Sequence, residues 1–237
     1  MQSHLELLQG YYKFLSLGKF FEHCSKEQQL VPPQNIAIST GDHSNFAVNT
    51  HLVSALLTEI HKYPGKKNVY GYIVEISAFR GIFSIMREMI ENNAILRSQL
   101  QSIFQEQYLS FEQTIRFLRN VLTHSSTASL SIQEEDYQKQ QTFLLSKSVT
   151  TIHLDFCYSK YLPEWKGSKD YSCQVYIEFS KLRPKVSLRK IVSLHQMYLL
   201  AELCYNITKV INGRMGRISN SQSVAIQKQK KPPMKGG

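Results

Sequence analysis

Apolar residues recur at steps of three and four along most of this chain, and at steps of two in one later stretch. Residues 4 to 24 read as a helix, with Leu5, Leu8, Tyr12, Leu15 and Phe20 on or near one side. Val31-Pro32-Pro33 and Gly41-Asp42 mark a loop. A second helix is expected from about Phe46 to His61, stopping near Pro64-Gly65. A third starts near Val69, with a core-facing stripe at Ile73, Ile76, Phe79, Phe83, Met86 and Ile90. Leu96 to Tyr108 reads as a further short helix.

Ser110-Phe111-Glu112-Gln113 has the form of a capping box, and Phe111, Ile115, Leu118 and Leu122 then lie along one face. The helix they define should stop at Ser125-Ser126-Thr127-Ala128-Ser129, which places His124 at its C-terminal end. Residues 130 to 148 are polar and predict a loop or ragged helix. The period then changes. Ile152, Leu154, Phe156 and Tyr158 alternate with polar neighbours, as do Cys173, Val175, Ile177 and Phe179. An antiparallel hairpin follows, in a register setting Phe156 opposite Val175, Leu154 opposite Ile177 and His153 opposite Glu178. In that register Cys157 and Cys173 face opposite sides, so no disulfide joins them. Pro184 closes the hairpin, and Ser187 is the expected N-cap of a long last helix with two apolar stripes, ended by Gly213.

The fold class is therefore mainly α: a helical bundle with a β-hairpin at about 150 to 180, inserted before a long C-terminal helix. The expected domain covers residues 1 to 212, followed by a basic, disordered tail over 213 to 237. No apolar run reaches the roughly 20 residues of a membrane helix. The start, Met1-Gln2-Ser3-His4-Leu5-Glu6, lacks the pattern of a signal peptide. A cytoplasmic protein without membrane contact is expected. Cys24, Cys157, Cys173 and Cys204 show no CxxC spacing and read as small buried hydrophobes.

The formal charge of +10 is uneven. Arg214, Arg217, Lys228, Lys230, Lys231 and Lys235 carry six positive charges after Gly213, with no acid among them. Such a segment attracts phosphate backbones without sequence preference, and it equally serves as a solubilising end.

The residues with chemical promise are Arg119, Asn120 and His124. On an ideal helix Arg119 and His124 are separated by about 140° and about 7.5 Å of rise. A long arginine and a histidine at a frayed helix end can still reach one phosphate. RNA cleavage without a metal needs a base for the 2′-hydroxyl proton, a cation for the phosphoryl oxygens and an acid for the leaving 5′-oxygen. Histidine can act as base or acid, arginine grips phosphate with a planar fork, and an asparagine amide can fix orientation. One histidine supplies one proton-transfer group; two copies of the chain would supply two. Read structurally, the same residues are a helix C-terminus with a favourable cation near its dipole.

The segment Phe117-Leu118-Arg119-Asn120-Val121-Leu122-Thr123-His124-Ser125 resembles the RNxxxH form of the Rx4–6H motif of the HEPN superfamily. The order of helices, motif, hairpin and long last helix is similar over roughly residues 1 to 212. The resemblance implies a HEPN-like helical bundle, often homodimeric, with two motifs across a shared cleft. It implies a metal-independent endoribonuclease that leaves a 2′,3′-cyclic phosphate and uses no cofactor. It also implies a toxin or defence effector, with RNA as substrate and an antitoxin or regulatory protein as a further partner. Arg119 would hold the scissile phosphate, Asn120 would orient it, and His124 would be the general acid/base. Where certain HEPN toxins carry a modified tyrosine two residues after the histidine, this chain has Ser126.

A catalytically inactive HEPN-like module binding RNA, a nucleotide or a protein is the alternative, and a helical interaction protein with a coincidental motif is the third reading. Other candidates are weaker. Arg189 and His195 lack the asparagine and read as a surface arginine and a packing histidine. His51 and His61 lack metal-ligand spacing. Glu75 and Arg80 read as a solvated helix face or as support for a cleft. Trp165, Lys166 and Lys169 could stack on and attract RNA, or simply anchor a loop.

Overall fold

The computed structural model describes the backbone of residues 2–26, 35–39, 45–49, 69–124, 130–165 and 172–229, together with Ala55, Thr58 and Lys62. These residues are mainly helical, with two small antiparallel sheets. The elements are α1 (Gln2–Lys26), β1 (Asn35–Ser39), β2 (Asn45–Asn49), α2 (Val69–Asn92), α3 (Ala94–Phe104), α4 (Tyr108–His124), α5 (Glu134–Leu145), β3 (Thr151–Cys157), the one-turn α6 (Tyr158–Tyr161), β4 (Ser172–Glu178) and α7 (Leu194–Gln229). Two compact units divide the chain: Met1–Gln9 with Arg80–Gly237, and Gly10–Phe79.

In the smaller unit, β1 and β2 pair with Ile36 opposite Val48 and Ile38 opposite Phe46. Asn45–Asn49 is thus a strand where a helix was expected to begin, although Ala55 and Thr58 are helical. A five-residue run with apolar residues two apart suits a strand once Ile36 and Ile38 lie alongside it, and local periodicity cannot announce that partner. Val31-Pro32-Pro33, Gly41-Asp42 and Pro64-Gly65, which the sequence marks as breaks, and also His51 and His61, lie outside the described residues.

In α2, Ile76, Phe79, Phe83, Met86 and Ile90 are buried, as their spacing predicts, whereas Ile73 is exposed. Glu75 is buried rather than solvated. Asn93 caps α3 by accepting from the Leu96 amide at 2.9 Å. The core of the larger unit centres on Phe104, which stacks on Phe111 at 4.0 Å between ring centroids and tilts over Phe156 at 5.0 Å.

Helix α4 begins at Tyr108, straight after a 3-10 turn over Gln105–Gln107, so Ser110 is not its N-cap. The Ser110 carbonyl instead accepts from the Thr114 hydroxyl inside the helix. The preceding turn already supplies helical backbone, and Phe111 is held by Phe104, so the capping signal is overridden.

Residues 130 to 148 contain an ordered helix, α5, rather than a loop or ragged helix. Its start is a capping box of Gln133 and Asp136. Its buried face is tied to α4 where Gln140 Nε2 donates to the Gln113 carbonyl at 3.0 Å. Tyr137, Gln140 and Leu144 are spaced by three and four, but polar Gln140 weakens the apolar stripe that periodicity relies on.

The hairpin of β3 and β4 forms with the expected faces and a register displaced by two residues. Ile152 lies opposite Ile177, Leu154 opposite Val175 and Phe156 opposite Cys173. Parity is kept because one face is buried. The displacement follows from the connection: α6 starts directly after β3, and buried Tyr158 is pinned by Asn206 at 3.0 Å. His153 therefore packs on Tyr176, while Glu178 pairs with Lys181.

Ser187 opens a 3-10 turn over Leu188–Lys190 and makes no side-chain cap. Ser193 caps α7, with its Oγ accepting from the Gln196 amide and Gln196 Oε1 accepting from the Ser193 amide. The backbone of α7 continues through Gly213 to Gln229, and Arg214 on it pairs with Glu164. An added Cβ at Gly213 would meet nothing, so this glycine is not marking a tight turn. The side chains of Arg217, Lys228, Lys230, Lys231 and Lys235 lie outside the described residues.

Cys157 and Cys173 face opposite sides of the hairpin, as the alternation predicts, and both are free thiols. Burial pushes the Cys173 thiol up to about 12 and holds Cys204 well above the ordinary thiol value, whereas the hydrogen bond with Ser159 lowers Cys157. The thiolate is the reactive form, so a lower pKa means faster alkylation at mild pH. In a Cys24→Ser background, brief iodoacetamide treatment at pH 8 should label Cys157 and spare Cys173 and Cys204, as read by peptide mass spectrometry. Equal labelling of all three would contradict this packing.

Candidate functional site

The amphipathic pattern of α4 buries Phe117, Leu118, Val121 and Leu122 and turns Arg119, Asn120 and His124 towards partly open surface. The structure places these three at the C-terminal end of α4, where the sequence predicts them. It also gives them neighbours that the motif does not name.

His124 Nδ1 lies 2.7 Å from Asp136 Oδ1. The histidine side chain is 41% exposed and the aspartate 1%. Asp136 occupies the first turn of α5, where the helix dipole favours a negative charge. Its second oxygen, Oδ2, accepts from the Gln133 backbone amide at 2.7 Å. The N-terminus of α5 is brought there by backbone pairing of its lead-in: Ile132 donates to the Val186 carbonyl at 2.9 Å, Lys185 to the Ile132 carbonyl at 2.8 Å, and Ser131 bridges Ser187.

Asn120 joins three elements. Its Nδ2 donates to the Asp136 carbonyl at 3.0 Å, and its Oδ1 accepts from Arg87 Nη1 on α2 at 2.9 Å. Arg119 Nη1 approaches the same oxygen at 3.4 Å. The amide therefore orients Arg119 and Asp136, and its reach towards a phosphate is correspondingly limited. Arg87 Nε also donates to Glu91 at 2.9 Å, and Arg116 pairs with Glu91 at 3.5 Å. Arg80 Nε donates to the Leu122 carbonyl at 2.7 Å, satisfying one of the last carbonyls of α4 and placing a cation at its negative end.

Arg119 and His124 are thus linked through Asn120 and Asp136 into one polar cluster, with Arg80 and Arg87 beside it. Arginines in this setting can attract and grip a phosphate, and an imidazole backed by a carboxylate can move a proton. Sequence reasoning missed Asp136 and Arg87. The run Glu134-Glu135-Asp136 signals a helix start, and Arg87 lies seven residues from Arg80 on the same helix face. Neither signal identifies a partner on another element.

The remaining candidates lie elsewhere in the sequence and structure. Arg189 and His195 are both exposed, so His195 is not a packing residue. Trp165 leans on Tyr158 at 6.0 Å and, with Ser159, Leu162 and Pro163, lines a small surface pocket. Lys166 and Lys169 lie outside the described residues. Among the described residues, no three His, Cys, Asp or Glu side chains are grouped to hold a metal ion, and no helix is long and apolar enough to cross a membrane. No protein-family model, no curated protein and no solved structure matches the chain.

Proposed function

We propose that this protein is a metal-independent endoribonuclease of HEPN type, acting as a homodimer on single-stranded or loop RNA. The observation that carries this reading is the 2.7 Å contact between His124 and buried Asp136 at the helix end that bears Arg119. Arg119 holds the scissile phosphate and stabilises charge on its oxygens. His124 takes the 2′-hydroxyl proton as the 2′-oxygen attacks phosphorus. The bond to the 5′-oxygen breaks, and that oxygen receives a proton from the His124 of a second copy. The products are a 2′,3′-cyclic phosphate and a 5′-hydroxyl. A two-fold dimer supplies both histidines from one surface.

A module that only binds RNA or a nucleotide would use Arg119 but has no need of an imidazole backed by a carboxylate. A toxin or defence role in the cytoplasm, restrained by an antitoxin or regulatory protein, suits such an activity.

Incubating the purified full chain with end-labelled RNAs in EDTA tests the proposal. Cleavage yielding 2′,3′-cyclic phosphate ends is the expected result. Cleavage that leaves 3′-hydroxyl ends, or that needs an added divalent ion, would overturn the mechanism. RNA binding without cleavage over diverse substrates would favour the inactive module.

A further inference from the structure

His124 and Asp136 form a pair of unequal exposure: the imidazole reaches solvent, while the carboxylate is sealed in. Both carboxylate oxygens are engaged, Oδ1 with His124 Nδ1 and Oδ2 with the Gln133 amide, each at 2.7 Å. The rest of Asp136 is equally fixed, because its carbonyl accepts from Asn120 and its backbone amide donates to the Gln133 carbonyl.

We infer that Asp136 is the positioning residue of His124, holding the ring with hydrogen on Nδ1 and leaving Nε2 as the proton-transfer atom. An ionised carboxylate offers only lone pairs, so the hydrogen in the 2.7 Å contact belongs to the imidazole. In the neutral ring the Nε2 lone pair then faces outward, ready to receive a proton. What Nε2 receives rests on the ribonuclease reading: the 2′-hydroxyl proton moves to Nε2, and the imidazolium so formed is stabilised by the adjacent carboxylate. Asp136 touches no reacting atom. Asn120 belongs to the same device, since its amide ties the Asp136 backbone to the helix carrying His124. The aspartate cannot drift from the histidine without breaking that bond and the cap of α5.

Two measurements on the full chain test this. The first is 15N NMR of histidine-labelled wild type at a pH where His124 is neutral. Hydrogen on Nδ1 of His124 is expected; hydrogen on Nε2 overturns the inference. The second compares Asp136→Asn with wild type. The asparagine oxygen can still accept from the Gln133 amide, so the melting midpoint should stay within about 5 °C of wild type. Its NH2 group donates to Nδ1 and moves the ring hydrogen to Nε2. The kcat for RNA cleavage should fall by at least about 10²-fold and up to about 10⁴-fold, with KM little changed, because the wrong tautomer cannot act as base. A variant with wild-type kcat, or with the wild-type tautomer, overturns the inference. If Asp136→Asn does not fold, the wild-type spectrum decides. A wild type with hydrogen on Nδ1 that cleaves no RNA sinks the ribonuclease reading and leaves the positioning role standing.

Discussion

His124→Ala should lower kcat for RNA cleavage by about 10²–10⁴-fold, the range set by loss of a positioned acid or base. Arg119→Ala should cost about 10²–10³-fold by removing the charge that stabilises the phosphoryl oxygens. Arg119→Lys should recover only part of that loss, because an ammonium cannot form the two parallel bonds of a guanidinium fork. Steady-state kinetics on one defined RNA would read all three. The double variant should be far less than additively impaired, since the two residues act on one transition state. A composite site makes a further demand. When wild-type and His124→Ala chains are co-expressed in equal amounts, random pairing leaves about one quarter of the dimers with two histidines. Activity per dimer should fall to about that fraction. A value near one half would mean that each protomer works alone. Undiminished cleavage in both single variants would refute the site.

The second large effect concerns the core behind the site. Phe104 is fully buried, stacked on Phe111 of α4 and tilted over Phe156 of β3. Phe104→Ala should cost about 3–5 kcal/mol, combining lost transfer energy with the cavity left among rings that cannot collapse freely. A typical domain has only about 5–15 kcal/mol in total, so the variant should be severely destabilised. Phe104→Leu should cost less by filling part of the volume. Urea unfolding followed by the fluorescence of the single tryptophan, Trp165, would measure both, and Trp165 lies beside buried Tyr158 in the same unit. A loss under about 1 kcal/mol for the alanine variant would contradict the packing described.

The pattern of burial was legible where residues answer to their own neighbours in sequence. The spacing of Phe79, Phe83, Met86 and Ile90, and of Phe111, Ile115, Leu118 and Leu122, predicted buried helix faces, and those residues are buried. Alternation predicted both strands of the larger unit's hairpin and the opposite facing of Cys157 and Cys173. Arg119, Asn120 and His124 could be placed at a helix end for the same reason.

Elements that depend on a distant partner were not legible. Asn45–Asn49 is a strand because β1 lies beside it. Helix α5 is ordered through its cap and through Gln140 reaching α4, although its apolar stripe is thin. Ser193, not Ser187, caps α7, because Ser187 is drawn into a bridge with Ser131.

By itself the sequence determined which faces of its helices and strands are apolar, and it set an arginine, an asparagine and a histidine at the end of α4. Those properties follow from backbone periods of 3.6 and 2 residues, which act over one or two turns or a few strand residues. Only the tertiary structure decided that the histidine meets Asp136 and that Arg87 reaches Asn120. It also set the hairpin register two residues from the simplest pairing. Those outcomes depend on where separate elements cross, which is fixed by the packing of the whole unit and leaves no local periodic trace.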